Sequence, residues 1–145
     1  MTQSKAQSPS SSMPAKLAYR NFTRSEFRCK CGKCDSTGHE ISDELLDALQ
    51  ALRTICEFPF IISSGYRCPS HPAEKNKDFV GAHGCGLAVD IAVSYEEAIQ
   101  LLKHALNTGL FTGIGVNQKG DRRFIHLDIA TDMDVNAPRP HIWTY

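Results

Sequence analysis

Two short segments of alternating apolar and polar residues constrain the fold of this chain more than any other feature. In "LAVDIAV" (87–93) every second side chain is a large aliphatic one, and Asp90 lies on the other side of the strand. In "FIHLDI" (124–129) the aliphatic residues alternate again, and His126 and Asp128 share the opposite face. Successive side chains of a strand point to opposite faces of its sheet. The two segments therefore predict strands that pack one face on helices and present acidic and imidazole groups on the other.

Capping signals and short apolar runs predict the remaining elements. Three helix starts carry capping residues, which are Thr23 with Glu26, Ser42, and Ser94 with Glu97. The segment "FPFIISS" (58–64) predicts a short buried strand, and "GIGV" (113–116) predicts a hairpin with the strand at 122–130, whereas 137–145 is expected to be irregular. Such runs predict an α+β domain, a small antiparallel sheet with helices packed on one face.

The length of 145 residues suits a single domain with a sizeable core. The first 18 residues are rich in Ser, Pro, Gln and Lys, so they bury too little apolar surface to offset the entropy lost on ordering. We therefore expect residues 1–20 to be a disordered tail and residues 21–145 to form the folded domain.

Charge and hydropathy restrict the partners. Lys and Arg together number 16, as do Asp and Glu, which gives no electrostatic reason to expect a nucleic-acid partner. No apolar run is long enough to span a membrane, and the N-terminus lacks the pattern of a secretory signal. We expect a monomer that is made in the cytoplasm and does not insert into membranes.

His83, Asp90 and His126 form a candidate metal site. His83 lies in the glycine-flanked turn "GAHGCG" (81–86), and the other two project from the polar face of the predicted strands. Two imidazoles and one carboxylate are a usual ligand set for catalytic zinc, with the fourth position open to water. From spacing alone, the alternative is that the two strand residues are simply solvated.

Four motifs, in a fixed order, place this candidate site in a family context. They are "SGYRCPSH" (64–71), "HGCGLAVDI" (83–91), "GIGV" (113–116) and "FIHLD" (124–128). Together they resemble the zinc D-Ala-D-Ala peptidase family, which includes phage endolysins and is similar to the hedgehog signalling domain. The resemblance covers residues 22–145 and implies a hedgehog/D-Ala-D-Ala peptidase-like fold, with residues 21–145 as a zinc peptidase domain. It also implies that the zinc ligands are His83, Asp90 and His126.

The general base is less well defined by this resemblance. In better-known relatives a carboxylate lies a few residues before the last histidine, whereas position 123 here is arginine. The candidates are Asp121 in the hairpin turn and Asp128, and Asp128 is preferred because its strand holds it beside His126. The alternative is that Asp128 only orients a zinc ligand.

The same resemblance implies the substrate contacts. Arg67 occupies the arginine position of the S-G-Y-R motif, and its planar guanidinium group suits a substrate carboxylate. Ser64 and Tyr66 are expected to line the same site, and His141 and Trp143 to close the cleft.

Three of the six cysteines form a further candidate site. Cys29, Cys31 and Cys34 follow a C-x-C-x2-C pattern in a glycine-containing loop, which suits a structural zinc ion. The fourth ligand is open between His39, Cys56 and Cys68. Disulfide pairing is nearly as well supported, free thiols remain an alternative, and Cys56 is expected to pack in the core because it lies on an apolar helix stripe.

The leading functional prediction is a zinc peptidase that cleaves stem peptides or cross-links of bacterial peptidoglycan. It would be an L-Ala-D-Glu endopeptidase or a D,D-carboxypeptidase, and the missing signal peptide favours a phage lysin that lysis machinery releases to the cell wall. The alternative is a non-catalytic zinc-containing binding module of the same fold, because the acid expected at position 123 is missing. A zinc-ribbon adaptor has little support, since the chain is not basic.

Overall fold

The structure is a computed structural model that describes residues 19–145, so most of the predicted tail, residues 1–18, lies outside the described residues. Along the chain, a 3₁₀ helix (Arg24–Phe27) is followed by α1 (Asp43–Cys56), β1 (Ile61–Ser64), β2 (Ala88–Ala92), α2 (Tyr95–Thr108), β3 (Gly113–Asn117), β4 (Phe124–Asp128), α3 (Asp132–Val135) and β5 (His141–Thr144). The predicted α+β class is confirmed.

The five strands form one mixed sheet in the order β1-β2-β4-β3-β5. The first four pair antiparallel, as expected, whereas β5 pairs parallel with β3. The C-terminal segment, which was expected to be irregular, thus adds an edge strand. Three of its four residues are exposed, so β5 lacks the alternation of apolar and polar positions by which a half-buried strand is recognised.

The capping signals at the helix starts are confirmed for the 3₁₀ helix and for α1 but not for α2. The Ser42 hydroxyl accepts a hydrogen bond from the backbone N–H of Leu45 at 3.0 Å, which satisfies one free donor of the first turn. The capping box expected at Ser94 is not formed, since its side chain makes no capping hydrogen bond. Tyr95 enters α2 with a φ of 54°, a left-handed value that changes the approach of the chain to the helix.

The helices α1 and α2 cover one face of the sheet with a single apolar core. Its fully buried members include Leu45, Leu49 and Leu52 from α1, Leu101 from α2, and Val89, Ile91, Ile125 and Leu127 from the central strands. Their partners along β2 and β4 point to the other face. No helix in residues 19–145 has the length and apolar character needed to cross a membrane.

Candidate active site

On the sheet face away from the helices, five residues that lie directly opposite one another on adjacent strands form a row across the sheet. In register, Ser64 lies opposite Asp90, Asp90 opposite His126, His126 opposite Gly115, and Gly115 opposite Trp143. Residues directly opposite each other on neighbouring strands share a face of the sheet. The pairing therefore brings groups from five strands into one line, although they are far apart in sequence.

The turn before β2 brings His83 to this row. Gly86 adopts a φ of 73°, and a Cβ there would collide with the backbone of Glu40, so the turn requires glycine. The Nδ1–H of His83 donates to the carbonyl oxygen of Gly65 at 2.8 Å. In the neutral ring, Nε2 then carries the lone pair, and it lies 3.2 Å from Oδ1 of Asp90.

His126 approaches the same carboxylate oxygen from the neighbouring strand. Its Nε2–H donates to Oδ2 of Asp128 at 2.6 Å, and its Nδ1 lies 3.1 Å from Oδ1 of Asp90. The two imidazole rings are 5.0 Å apart and nearly perpendicular. His83, Asp90 and His126 are each at most 6% exposed.

This arrangement fits a bound cation. Two imidazole lone pairs and a carboxylate oxygen face one another, and their ligand atoms all lie within 4.8 Å. Acceptors facing each other in a buried space need protons or a metal ion between them. Burial opposes ionisation of Asp90, but when a proton and not an ion lies between these atoms, His126 and His83 donate it to Asp90, and these hydrogen bonds outweigh burial and hold the pKa of this carboxyl well below its usual range. An ionised carboxylate with two imidazoles is a donor set suited to zinc.

Asp128 is fully buried, and both of its carboxylate oxygen atoms accept hydrogen bonds. Oδ1 accepts from Nε of Arg139 at 3.0 Å and from the N–H of Ala130 at 3.2 Å, and Oδ2 accepts from Arg139 at 2.9 Å and from His126. Burial opposes ionisation, but the bonds with His126 and Arg139 lower the pKa of Asp128 to about 2. This geometry matches the alternative in which Asp128 orients His126, because a carboxylate held this way is a weak proton acceptor.

The other candidate base lies outside the cleft. Asp121 is exposed in the β3–β4 turn and is not among the described residues that line the cleft. Arg123 donates to the carbonyl oxygen of Gln118, and its guanidinium group lies 4.7 Å from the ring centre of Tyr95. Position 123 therefore faces α2 and not the cleft.

Arg67 contacts the carboxylate of Asp90 directly. Its Nε donates to the hydroxyl of Ser64 at 3.0 Å, and a terminal nitrogen donates to Oδ2 of Asp90 at 3.3 Å. The other terminal nitrogen lies 3.6 Å from Glu74, a buried carboxylate that also accepts from Lys77 at 2.9 Å. Arg67 lines the cleft, whereas Ser64 is not among the described residues that line it and contacts the site only through the guanidinium group of Arg67.

The cleft has a volume of about 310 Å³, with His83, Asp90 and His126 at its floor. Trp143 forms one wall, with its ring centre 5.1 Å from that of His126. His141 is exposed and stacks on Trp143 at 5.4 Å, so it contributes to the cleft through that ring. Tyr66 instead lines a neighbouring cavity of about 270 Å³ that also contacts Arg67 and Glu74.

Sequence reasoning missed four residues that shape this site. They are Glu74, Lys77, Arg139 and Tyr145. Arg139 and Tyr145 belong to a segment without a periodic pattern, and Glu74 and Lys77 belong to a long polar loop. No local signal distinguishes these side chains from ordinary solvated ones. The motif "GIGV" did carry a signal, since a Cβ on Gly115 would lie 2.7 Å from the ring of Trp143.

The cysteine motif forms a separate group. Cys29, Cys31 and Cys34 lie together with Cys68, and none of the four lines the cleft. Among the described residues, the structure therefore brings together two groups of side chains that could hold a metal ion.

A comparison of the sequence with models of known protein families identifies the family of this chain. The family model described as Peptidase M15 matches residues 20–128. The match ends at the last residue of β4, so Arg139 and β5 lie beyond it. No curated protein matches the chain. Because the matched segment spans most of the chain and contains His83, Asp90 and His126, this chain belongs to the Peptidase M15 family.

Proposed function

We propose that this chain is a zinc-dependent peptidase that cleaves the peptides of bacterial peptidoglycan. The observation that carries the proposal is the convergence of His83, Asp90 and His126 at the floor of a cleft, in a chain of a peptidase family. Zinc held by these three side chains would supply a Lewis acid that polarises a peptide carbonyl and lowers the pKa of water.

The protein fixes the orientation of both histidine rings. The carbonyl oxygen of Gly65 holds the ring of His83, and Asp128 holds the ring of His126. Arg139 in turn fixes Asp128 through two hydrogen bonds. These partners determine which nitrogen of each imidazole carries the proton, so the opposite nitrogen is kept as a ligand atom.

The charges around the cleft suit a substrate that carries a carboxylate. Arg67, Lys77 and Arg139 all line it. Peptidoglycan stem peptides carry such a group on D-Glu and on the terminal D-Ala, so cleavage between L-Ala and D-Glu or between two D-Ala residues would place a carboxylate near the reacting bond. The resemblance to phage endolysins supports a lysin that is released to the cell wall by lysis machinery.

One observation favours a second candidate, a zinc-containing binding module without hydrolysis. Asp90 is the only carboxylate among the described residues that line the cleft, and it belongs to the metal site. A peptidase of this kind normally needs a further group to accept a proton from water. A module that only binds peptidoglycan would not need one.

Digestion of purified peptidoglycan by the zinc-loaded chain tests both candidates. We expect mass analysis to show new peptide fragments, and their ends identify the bond that is cleaved. The Asp90→Ala protein should lose the zinc bound at this site and release no fragments. The Asp121→Asn control should keep this zinc and release the same fragments as the unmodified chain. Wall binding with full zinc content and no fragments would contradict hydrolysis and favour the binding module.

A further inference from the structure

Four cysteine side chains meet where the loop after the 3₁₀ helix approaches the segment after β1. Cys29, Cys31 and Cys34 come from the first loop, and Cys68 comes from the second. Their sulfur atoms all lie within 4.8 Å of one another, and all four thiols are free. The cluster therefore joins two segments that are more than thirty residues apart in sequence.

We propose that these four thiolates bind one structural zinc ion. A zinc tetrahedron with Zn–S bonds of about 2.3 Å has sulfur–sulfur edges of about 3.8 Å. The sulfur atoms of Cys31 and Cys68 are 3.6 Å apart, close to such an edge. A disulfide needs about 2.05 Å and joins sulfurs only in pairs, whereas here all four sulfurs are mutual neighbours.

The surroundings of the sulfur atoms suit thiolates. The backbone N–H of Lys33 donates to the sulfur of Cys31 at 3.3 Å, and the N–H of Cys68 donates to the sulfur of Cys29 at 3.3 Å. Zinc with four thiolates carries a net charge of −2, and Arg28, Lys30 and Lys33 bring positive charge to the same loop. Four sulfur ligands leave no open position, so the ion would stabilise the fold and not act on substrate.

The structure selects Cys68 over the other two candidates for the fourth ligand. His39 is exposed, and its ring nitrogens face Thr37 and Glu40. Cys56 ends α1 and packs against the apolar core. Neither belongs to the group of sulfur atoms around Cys31.

The proposed ion would fasten the segment that supports the cleft. Cys68 directly follows Arg67, and the carbonyl oxygen of Gly65 three residues earlier accepts from His83. The same segment is tied to the 3₁₀ helix by the N–H of Tyr66, which donates to Phe27 at 2.8 Å. Both cysteine-bearing segments lack regular structure, and a metal crosslink between long loops limits their conformational freedom. The inference does not depend on the proposed peptidase activity.

Zinc content per chain tests the site directly. We expect two zinc ions in the full chain, and one in the Cys31→Ser/Cys34→Ser protein, whose substituted side chains are not fully buried. The Asp90→Ala protein should also keep one ion. The matched Cys56→Ser and Cys85→Ser controls should keep two. Unchanged zinc content in the Cys31→Ser/Cys34→Ser protein would overturn the proposal.

Cobalt substitution and thiol labelling test the site without relying on a cysteine variant that folds. Cobalt-loaded Asp90→Ala protein should show the intense charge-transfer absorption of thiolate ligands. An alkylating reagent should modify four cysteines only after a chelator has been added, whereas Cys85, which is exposed, should react at once. Absence of the charge-transfer band, or disulfide bonds among these four cysteines in the mass spectrum of the unreduced protein, would overturn it.

Discussion

The Nε2 atom of His126 lies 2.6 Å from Oδ2 of Asp128, on the side of the ring opposite Asp90. The strand alternation that places the two residues on one face is visible in the sequence, but the direction of the hydrogen bond is not. Because Asp128 accepts the Nε2 proton, Nδ1 is left to face Asp90 as a ligand atom. This geometry favours a positioning role for Asp128 over the role of general base.

The Asp128→Asn protein distinguishes positioning from proton transfer. If Asp128 orients His126, its replacement by Asn should lower zinc affinity by about 10- to 100-fold, because the ring loses a charged acceptor and keeps only a neutral amide oxygen in its place. Competition with a chelator measures that affinity, and Asp121→Asn is the matched control with no expected change. Unchanged affinity together with a rate loss of about a hundredfold or more at saturating zinc would assign the general base to Asp128 instead.

Replacement of Arg67 should affect substrates according to their charge. Hydrogen bonds to charged groups contribute about 1.5–3 kcal/mol, so Arg67→Lys should raise KM about tenfold or more for a peptide with a free carboxylate beside the cleaved bond. The same substitution should have a much smaller effect on the corresponding amide. An equal increase in KM for both peptides would indicate that Arg67 acts only through Asp90 and Glu74.

Glu74 should make stability depend on pH below its ordinary pKa of 4.5. Burial opposes its ionisation, but the hydrogen bond from Lys77 and the charges of Lys77 and Arg67 lower its pKa in the folded state. A carboxyl whose pKa is lower in the folded state than in the unfolded state stabilises the fold when the pH is above the unfolded-state pKa. This stabilisation is lost as the pH falls from the unfolded-state pKa to the folded-state pKa. The difference in Tm between wild type and Glu74→Gln should therefore shrink as pH falls below about 4.5.

The matched control for this titration is Glu44→Gln, which changes an exposed glutamate of α1. Its Tm difference from wild type should stay much smaller than that of Glu74→Gln at neutral pH. A constant Tm difference for Glu74→Gln from pH 3 to pH 7 would show that the ionised carboxylate contributes nothing.

The two glycines of "GIGV" should respond differently to substitution by alanine. A Cβ at Gly113 would meet the fixed, fully buried carboxylate of Asp128, so Gly113→Ala should cost about 1–3 kcal/mol of folding free energy. A Cβ at Gly115 would meet Trp143 on an edge strand, where the ring can shift. Gly115→Ala should therefore cost less stability but change the fluorescence of the single tryptophan.

Thermal unfolding and tryptophan emission measure these two effects. Equal destabilisation by both substitutions, with unchanged emission for Gly115→Ala, would mean that Trp143 does not rest above position 115.

Much of the fold and part of the site follow from the sequence because they depend on local periodicity. The alternation at 87–93 and 124–129 determined which faces of β2 and β4 are apolar, and it placed Asp90 and His126 on the same side. The apolar stripe that includes Cys56 and the capping residue Ser42 determined α1 in the same way. Each of these signals is carried by residues within one or two turns of helix or a few residues of strand.

The tertiary structure alone decided the features that join distant segments. The parallel pairing of the edge strand β5 with β3 brought Trp143 beside His126. The hydrogen bond between Arg139 and Asp128 is not indicated by any local sequence pattern. Packing of two loops selected Cys68 as the partner of the other three cysteines. The physical reason is that periodicity reports which face of a strand or helix is buried, whereas the partner of a side chain depends on where another part of the chain comes to lie.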